Sequence, residues 1–290
     1  MYKDRNKVKG MLWGLVVGDC FGSPIQFSDK DDHPRITEMV ACPVFKLPPG
    51  YWTDDSSMAM CIMDSFVRKG YYALKDIGDT FVRWHDEGYL SSVEGRSFDV
   101  GLATAVAMAG IRRGRFENGT EESQGNGSIM RFAPSMLVGA AEGDSVEIPY
   151  RISDLTHYSS RIRFVIDRMS HILDDHLCGQ RTKLKSEYDT REEVNNSGWA
   201  VSTLEAALWA FETTATFEEG LIAAVNLGGD SDSIGAVYGQ IAGAFYGFSA
   251  IPERWVRAVK TWQKVDDLIE RFIEAVARRE KEVANEDRPW

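Results

Sequence analysis

The chain has few cysteines, no long apolar run and no excess of basic residues. None of its four cysteines has C-x-x-C spacing, so the sequence offers neither a zinc knuckle nor a redox pair. Scattered thiols are typical of a reducing cytosol, and we expect a cytoplasmic protein. No apolar run approaches the length of a membrane span. The net charge of -11 argues against nucleic-acid binding, because phosphate contacts need clustered Lys and Arg. We therefore expect neither a membrane nor a nucleic acid as a partner.

The sequence also lacks the period-two alternation that marks half-buried strands. Apolar residues instead recur at helical spacing, as in the stretches 74–87 and 265–276. Hydrophobic residues make up 43% of the chain, which is enough for a sizeable core. We therefore predict an all-α fold, a compact single-domain multi-helix bundle over residues 1–290. A loop is expected at 28–52 and an irregular polar segment at 178–198.

Local signals predict three further helices. The stretch 153–177 reads as one helix, with His157 near its start. Ser202-Thr-Leu-Glu205 and Thr216-Phe-Glu-Glu219 have the pattern of capping boxes, in which a hydroxyl and a carboxylate satisfy N–H groups at a helix start. The helices expected from these boxes span about 203–214 and about 217–227.

Two series of glycines recur at every fourth position. Residues four apart share one face of a helix, so each series forms a smooth stripe. A glycine inside a helix costs up to about 1 kcal/mol relative to alanine, which suggests that another backbone approaches closely. Either the two stripes pack against each other, which would bring the segment 18–27 close to Asp230, or each packs against an unrelated helix. The glycines are Gly10, Gly14, Gly18, Gly22, Gly235, Gly239, Gly243 and Gly247.

The chemical signal around which the chain is organised is Asn226-Leu-Gly-Gly-Asp-Ser-Asp-Ser-Ile-Gly235, which precedes an apolar helix. Asp230, Asp232 and Ser233 present three oxygen-bearing side chains within one turn. Hard divalent cations such as Mg²⁺ favour oxygen clusters of this kind. Ordinary N-capping is the alternative, because Asp and Ser satisfy the exposed N–H groups at helix starts. An EF-hand loop is excluded, because isoleucines occupy two positions that would have to supply ligands.

A second acidic cluster, Trp52-Thr-Asp-Asp-Ser-Ser57, also opens an apolar helix. Two helices that begin with carboxylates and hydroxyls could converge on one site. Four carboxylates facing each other would repel strongly unless cations lay between them. The two clusters together predict a metal centre, with one or two ions, whose ligands come from opposite ends of the chain.

A glycine-rich turn forms a third cluster. Gly125, Asn126, Gly127 and Ser128 precede a predicted helix. Such a turn exposes N–H donors and can hold a phosphate group. It lacks the lysine of a P-loop, and a plain turn with an N-cap is the alternative.

Taken together, the motifs resemble the ADP-ribosylglycohydrolase family, which includes the dinitrogenase reductase-activating glycohydrolases and the ADP-ribosylarginine hydrolases. Each motif is short, but their order and spacing over almost the whole chain are specific. The motifs are Gly14-Leu-Val-Val-Gly-Asp-Cys-Phe-Gly-Ser-Pro-Ile-Gln-Phe27, Trp52-Thr-Asp-Asp-Ser-Ser-Met58, Phe98-Asp-Val-Gly101, Gly125-Asn-Gly-Ser-Ile-Met-Arg131, Leu155-Thr-His157, Asn226-Leu-Gly-Gly-Asp-Ser-Asp-Ser233 and Ile251-Pro-Glu-Arg-Trp255.

The resemblance implies an all-α single domain with a binuclear Mg²⁺ or Mn²⁺ centre. It places the ligands in the two acidic clusters, and it implies that Asp99 lies near the scissile bond. It also implies that His157 and Trp199 line an ADP-ribose cleft. Asn126, Gly127 and Ser128 would hold the diphosphate. The implied metal ligands are Thr53, Asp54, Asp55, Asp230, Asp232 and Ser233.

The chain departs from the family pattern at two positions. Many members have Glu where this chain has Gln26, and that Glu helps to bind the second metal ion. An amide oxygen coordinates a cation more weakly than a carboxylate, so Gln26 is expected to weaken the second metal site. Because that Glu is important for serine-linked substrates, Gln26 also lowers the case for such substrates. Ser233 replaces the commoner threonine but keeps the hydroxyl group.

The resemblance implies a Mg²⁺-dependent hydrolase that removes ADP-ribose from a modified protein side chain. Asp55 and Asp232 would position the attacking water. Asp99 could hydrogen-bond a departing guanidinium, which favours arginine as the modified residue. The expected partners are ADP-ribose and an ADP-ribosylated protein. The alternatives are a two-metal phosphoesterase and a non-catalytic immunity or regulatory protein that binds ADP-ribose or a transferase.

Overall fold

The computed structural model describes residues 2 and 4–286, so Met1, Lys3 and residues 287–290 of the predicted domain lie outside the described part. Within that part, twelve α-helices and no strands are present, and the prediction of an all-α fold is confirmed. The helices are α1 (Arg5–Gly22), α2 (Asp54–Lys69), α3 (Leu74–Glu87), α4 (Leu102–Arg112), α5 (Phe132–Glu142), α6 (Glu147–Asp154), α7 (Ser160–Leu177), α8 (Ala200–Glu212), α9 (Phe217–Val225), α10 (Ser231–Tyr246), α11 (Glu253–Ala258) and α12 (Trp262–Glu286).

One contiguous core holds these helices together, and it runs from Val8 in α1 to Val276 in α12. The predicted loop at 28–52 and the irregular segment at 178–198 contain no helix or strand, as expected. Within the described residues, no helix is long and apolar enough to span a membrane.

α1 and α10 lie antiparallel with their backbones in direct contact. Gly14 faces Gly239, and Gly18 faces Gly235. A Cβ atom built on Gly14 would lie 2.0 Å from the carbonyl oxygen of Gly239, and one on Gly239 would lie 1.9 Å from that of Gly14. No side chain fits at this distance, so the hypothesis that the two stripes pack against each other is confirmed. Gly247 differs from the other seven glycines, because it follows the end of α10 with a φ of 84°.

The antiparallel pairing places the end of α1 beside the start of α10. The hydroxyl of Ser231 donates a hydrogen bond to the carbonyl of Gly22 at 2.8 Å. Beyond α1, the backbone N–H of Phe27 donates to the carbonyl of Gly229 at 2.6 Å. The segment that follows α1 therefore lies beside Asp230, as the pairing hypothesis predicts.

The prediction of one helix over 153–177 is wrong. The chain forms α6 and α7 there, and His157 lies in the link between them. Asn118 holds this link open: its side-chain Nδ2 donates to the carbonyl of Leu155 at 3.0 Å, and its own carbonyl accepts from the N–H of Tyr158 at 2.8 Å. The backbone groups that a continuous helix would use are thus bonded to a residue far away in the sequence.

One of the two predicted capping boxes is confirmed. The hydroxyl of Thr216 accepts a hydrogen bond from the N–H of Glu219 at 3.1 Å, and α9 begins directly after it. The box at Ser202 is wrong, because α8 begins at Ala200, three residues before the predicted start, and Ser202 lies inside its first turn. The buried carboxylate of Glu205 forms an ion pair with the partly buried Arg168 instead.

Replacing Gly14 with alanine is expected to destabilise the fold strongly. The new methyl group would meet the backbone of α10, which cannot rotate away as a flexible side chain could. Overpacking of this kind lowers the free energy of unfolding by about 3 kcal/mol. Urea denaturation followed by circular dichroism measures the change.

The matched control is Gly101→Ala, because a Cβ atom there meets no other atom within 4 Å. Its free energy of unfolding should change by no more than about 1 kcal/mol. Equal stabilities for the two variants would contradict the close packing of α1 on α10.

Candidate functional site

The two acidic clusters predicted from the sequence meet at one place, where α2 and α10 begin. The hydroxyl Oγ1 of Thr53 lies 3.2 Å from Oδ2 of Asp55 and 3.5 Å from Oδ2 of Asp232. Thr53 and Asp230 occupy the positions just before the two helices, yet neither side chain caps its own helix. N-capping therefore does not account for these two residues.

Asp19 from α1 caps α2 in place of Thr53. Its Oδ1 accepts hydrogen bonds from the backbone N–H and the hydroxyl of Thr53, both at 2.9 Å. Its Oδ2 accepts from the backbone N–H of Ser56 at 3.0 Å and from the hydroxyl of Ser56 at 2.6 Å. Burial raises the pKa of Asp19 to about 6, against the opposing effect of these hydrogen bonds. Sequence reasoning missed this role, although a lone carboxylate in an apolar, glycine-striped helix was the available signal.

The carboxylates at the two helix starts are withdrawn from water. Asp54, Asp55 and Asp232 are buried. Burial, reinforced by the neighbouring carboxylates, raises the pKa of each well above the ordinary range of an aspartate. Oδ1 of Asp55 and Oδ1 of Asp232 have no hydrogen-bond partner. A buried carboxylate oxygen without a partner is costly, and a hard cation is the species that such oxygens bind. The donor set of this site therefore fits Mg²⁺ or Mn²⁺.

The acidic groups do not form a closed cage. In the part of the chain that the structure describes, no three Asp, Glu, His or Cys side chains converge to enclose one ion. The hydroxyls of Thr53 and Ser233 add two oxygen donors to the cluster, and Ser233 hydrogen-bonds Asp55. An open set of this kind suits Mg²⁺, which keeps several of its waters when it binds to a protein.

Asp99 reaches the same cluster from the turn before α4. Its φ of 59° is left-handed, which is uncommon for a residue other than glycine. Its Oδ2 accepts a hydrogen bond from Nε2 of Gln26 at 3.0 Å, and the side chain also hydrogen-bonds Asp232. Burial raises the pKa of Asp99, although both hydrogen bonds act in the opposite direction. Gln26 is buried as well, and its Oε1 has no partner.

The glycine-rich turn lies on the Asp230 side of the cluster. It enters a 3₁₀ helix, Asn126–Arg131, rather than α5 directly. The side chain of Asn126 donates hydrogen bonds to Asp230 and, at 3.0 Å, to Oγ1 of Thr203. Its backbone N–H donates to the carbonyl of Gly198 at 2.9 Å. Asn126 therefore joins the turn to the second acidic cluster.

The three residues predicted to hold a diphosphate do not all face the same space. Gly127 packs against His157, because a Cβ atom on this glycine would lie 2.6 Å from Cε1 of the imidazole. Burial and the nearby Arg131 lower the pKa of His157 to about 3, so the ring is neutral at pH 7. Ser128 points away from this space, and its hydroxyl donates to Oγ of Ser153 at 2.6 Å.

Arg131 is a second residue whose role sequence reasoning missed. It is fully buried beneath the turn and donates to a carbonyl of the turn and, at 2.6 Å, to Oγ1 of Thr156. Burial lowers its pKa to about 10, while Asp54 and Asp55 act in the opposite direction. The guanidinium therefore stays charged at neutral pH and offsets part of the acidic cluster. An arginine inside the apolar run 129–138 was the signal in the sequence.

One cavity of about 430 Å³ connects these parts. Trp199 borders it from an adjoining hollow, with which the cavity shares Gly125 and Gly198, and 57% of the tryptophan surface is exposed. Of the predicted site residues, Thr53, Ser128 and Trp199 lie outside the lining. The predicted residues in the lining are Asp54, Asp55, Asp99, Asn126, Gly127, His157, Asp230, Asp232 and Ser233.

Replacing Asp54 with asparagine is expected to stabilise the protein in a chelator. The change removes one of several buried charges that repel each other, which should raise the free energy of unfolding by about 1 kcal/mol. Folding raises the pKa of Asp54, so this carboxylate destabilises the folded state increasingly as the pH rises and it becomes charged. The stability gained by Asp54→Asn should therefore be larger at pH 8 than at pH 5.5. Thermal denaturation at both pH values measures it.

The exposed Asp29→Asn variant, which removes the same charge from the surface, is the control and should change the stability little. A chelated Asp54→Asn protein that is no more stable than the wild type would show that the cluster carries no repulsive strain.

Residues 1–282 match the sequence model of the ADP-ribosylglycohydrolase family. The chain is 32% identical to the ADP-ribosylarginine hydrolase Tri1 of Serratia proteamaculans, over 92% of this chain and 79% of the relative. It is 30% identical to the ADP-ribosyl-[dinitrogen reductase] glycohydrolase of Rhodospirillum rubrum, over 94% of this chain and 96% of the relative.

A solved structure has the same fold. It is described as an ADP-ribosylglycohydrolase-related protein complex, and it superposes with a TM-score of 0.80 at 32% sequence identity. The match covers 93% of this chain and 98% of that one. The family model, the relatives and the fold agree with the resemblance that the motifs carry, and the chain belongs to the ADP-ribosylglycohydrolase family of hydrolases.

Proposed function

We propose that this protein is a Mg²⁺-dependent hydrolase that releases ADP-ribose from a modified arginine side chain. The observation that carries the proposal is the meeting of two buried carboxylate clusters in one cavity. In that cavity Oδ1 of Asp55 and Oδ1 of Asp232 are left without partners. The names of two relatives, an ADP-ribosylarginine hydrolase and a dinitrogen reductase glycohydrolase, support the reaction class.

The metal ligands belong to the same proposal. Bound Mg²⁺ or Mn²⁺ would supply Lewis acidity and would neutralise the carboxylates that now face each other. Two ions are proposed between the two helix starts, because each start offers two carboxylates and a hydroxyl. The residues proposed to hold them are Thr53, Asp54, Asp55, Asp230, Asp232 and Ser233.

The attacking water is proposed to lie beside Asp55 and Asp232. Asp55 and Asp232 are proposed to accept its hydrogen bonds and to orient it toward the ribose carbon that bears the side chain. Cleavage of this glycosidic bond develops positive charge on the ribose, which a carboxylate-rich wall stabilises.

Asp99 is proposed to bind the departing guanidinium. Its carboxylate is fixed by Gln26 and by Asp232, so it is positioned before the substrate arrives. An aspartate can accept two hydrogen bonds from a guanidinium, which favours arginine over serine as the modified residue. Gln26 stands in the position of the family's metal-binding Glu, and here its amide orients Asp99, the proposed ligand of the leaving group.

The glycine-rich turn is proposed to hold the diphosphate. Asn126 and Gly127 line the cavity, and the cationic Arg131 lies directly beneath them. Because His157 is neutral, it provides a surface for packing rather than a charge. Trp199, at the adjoining hollow, offers an exposed indole face on which a base could stack.

An ADP-ribosylated protein is the proposed substrate, and the cytosol is the proposed location. The four cysteines are free thiols, and three of them are buried, which is consistent with a reducing compartment.

Asp55→Asn and Asp232→Asn are each expected to lower kcat at least about 100-fold, because each removes a charge from the cluster and an acceptor for the attacking water. Release of ADP-ribose from ADP-ribosylarginine, measured by chromatography with Mg²⁺ and with chelator, tests this. Chelation should reduce wild-type activity to the level of the variants.

Asp29→Asn serves again as the surface control and should keep full activity. Full activity of Asp55→Asn would contradict the proposed mechanism. Release of phosphate or AMP in place of intact ADP-ribose would indicate a phosphoesterase. Mg²⁺-dependent stabilisation by ADP-ribose without turnover would indicate a non-catalytic binding protein.

A further inference from the structure

A second cavity adjoins Asn226, the first residue of the segment that leads to Asp230. It has a volume of about 360 Å³ and shares no lining residue with the candidate active cavity. Its lining consists of Asp31, His33, Arg35, Arg191, Trp209, Ile222, Ala223 and Asn226.

Positive charge dominates this cavity in a protein whose net charge is -11. Arg35 and Arg191 both line it, and Asp31 is its one acidic residue. Asp31 is already paired with Arg191, at 2.7 Å. In the described residues, the guanidinium of Arg35 makes no hydrogen bond or ion pair.

One further donor in this cavity has no acceptor. The indole Nε1 of Trp209 is buried without a partner, and only 8% of the tryptophan surface is exposed. A buried donor without an acceptor costs about 1–3 kcal/mol, so an acceptor-rich ligand would remove a real penalty here.

We propose that this cavity binds a small anion that carries a carboxylate or phosphate group. Arg35 and Arg191 would bind its oxygens through guanidinium N–H groups, which match carboxylate and phosphate geometry. The indole N–H of Trp209 would donate a further hydrogen bond. Ile222 and Ala223 form an apolar wall that accommodates a short carbon skeleton attached to the anionic group.

The cavity is in contact with the framework of the candidate active site. Nη2 of Arg191 donates a hydrogen bond to the carbonyl of Asn226 at 3.0 Å. The side chain of Asn226 in turn holds both backbone groups of Ile36, at 2.9 Å and 2.8 Å. Asn226 is the first residue of the segment that ends at Asp230. An anion held by Arg191 would therefore bind beside the hydrogen bonds of Asn226 that support this segment.

Indole ¹⁵N–¹H NMR spectra test the proposal on the full chain. The resonance of Trp209 is identified by its loss in Trp209→Phe. Titration with inorganic phosphate and with succinate, at constant ionic strength, should move this resonance in a saturable manner with at least one of the two anions. The anion that moves it distinguishes a phosphate ligand from a carboxylate ligand.

Arg35→Gln should weaken this binding at least 10-fold, and adding Arg191→Gln should abolish it. Because Arg35 has no partner in the described residues, its single variant keeps the test valid if the double variant does not fold. Arg113→Gln, an exposed arginine at the end of α4, is the matched control and should bind like the wild type.

Three results would overturn the proposal. The Trp209 resonance could stay unmoved by both anions, it could move equally in Arg35→Gln and the wild type, or only the Trp199 resonance could move. The last result would place the anion in the candidate active cavity.

Discussion

The close approach of α1 and α10 is the constraint on which the rest of the structure depends. Glycines on both helices let the backbones meet, with Gly14 against Gly239 and Gly18 against Gly235. This contact brings Asp19 and the segment after α1 to the start of α10. Asp19 then fixes the start of α2 through four hydrogen bonds to Thr53 and Ser56, so both acidic clusters are placed by one helix pair.

The charges that meet there are balanced only in part by the protein itself. Arg131 lies buried beside Asp54 and Asp55, and Asn126 donates to Asp230. Several buried carboxylates still face one guanidinium, and carboxylate oxygens remain without partners. A site of this kind stores unfavourable electrostatic energy that a bound cation would release, and we propose that the enzyme uses it to bind magnesium.

Much of this arrangement could be predicted because its signals are local. The four-residue spacing of Gly14 and Gly18 shows in the sequence, and so do the paired aspartates at each helix start. The remainder depends on contacts between distant residues. The break between α6 and α7, which contains His157, is held by Asn118, and the cap of α2 comes from Asp19, 34 residues before Thr53. The role of Arg131 depends on which carboxylates fold against it. Contacts between residues so far apart in the sequence cannot be predicted from local sequence patterns.

The central claim is that the two acidic clusters share bound cations. Anomalous diffraction from crystals grown with Mn²⁺ measures this directly, because manganese scatters anomalously and protein oxygens do not. The account predicts manganese peaks within coordination distance of Asp54 or Asp55 and of Asp230 or Asp232. Manganese found only elsewhere on the protein, or a cavity with no peak at millimolar Mn²⁺, would contradict it.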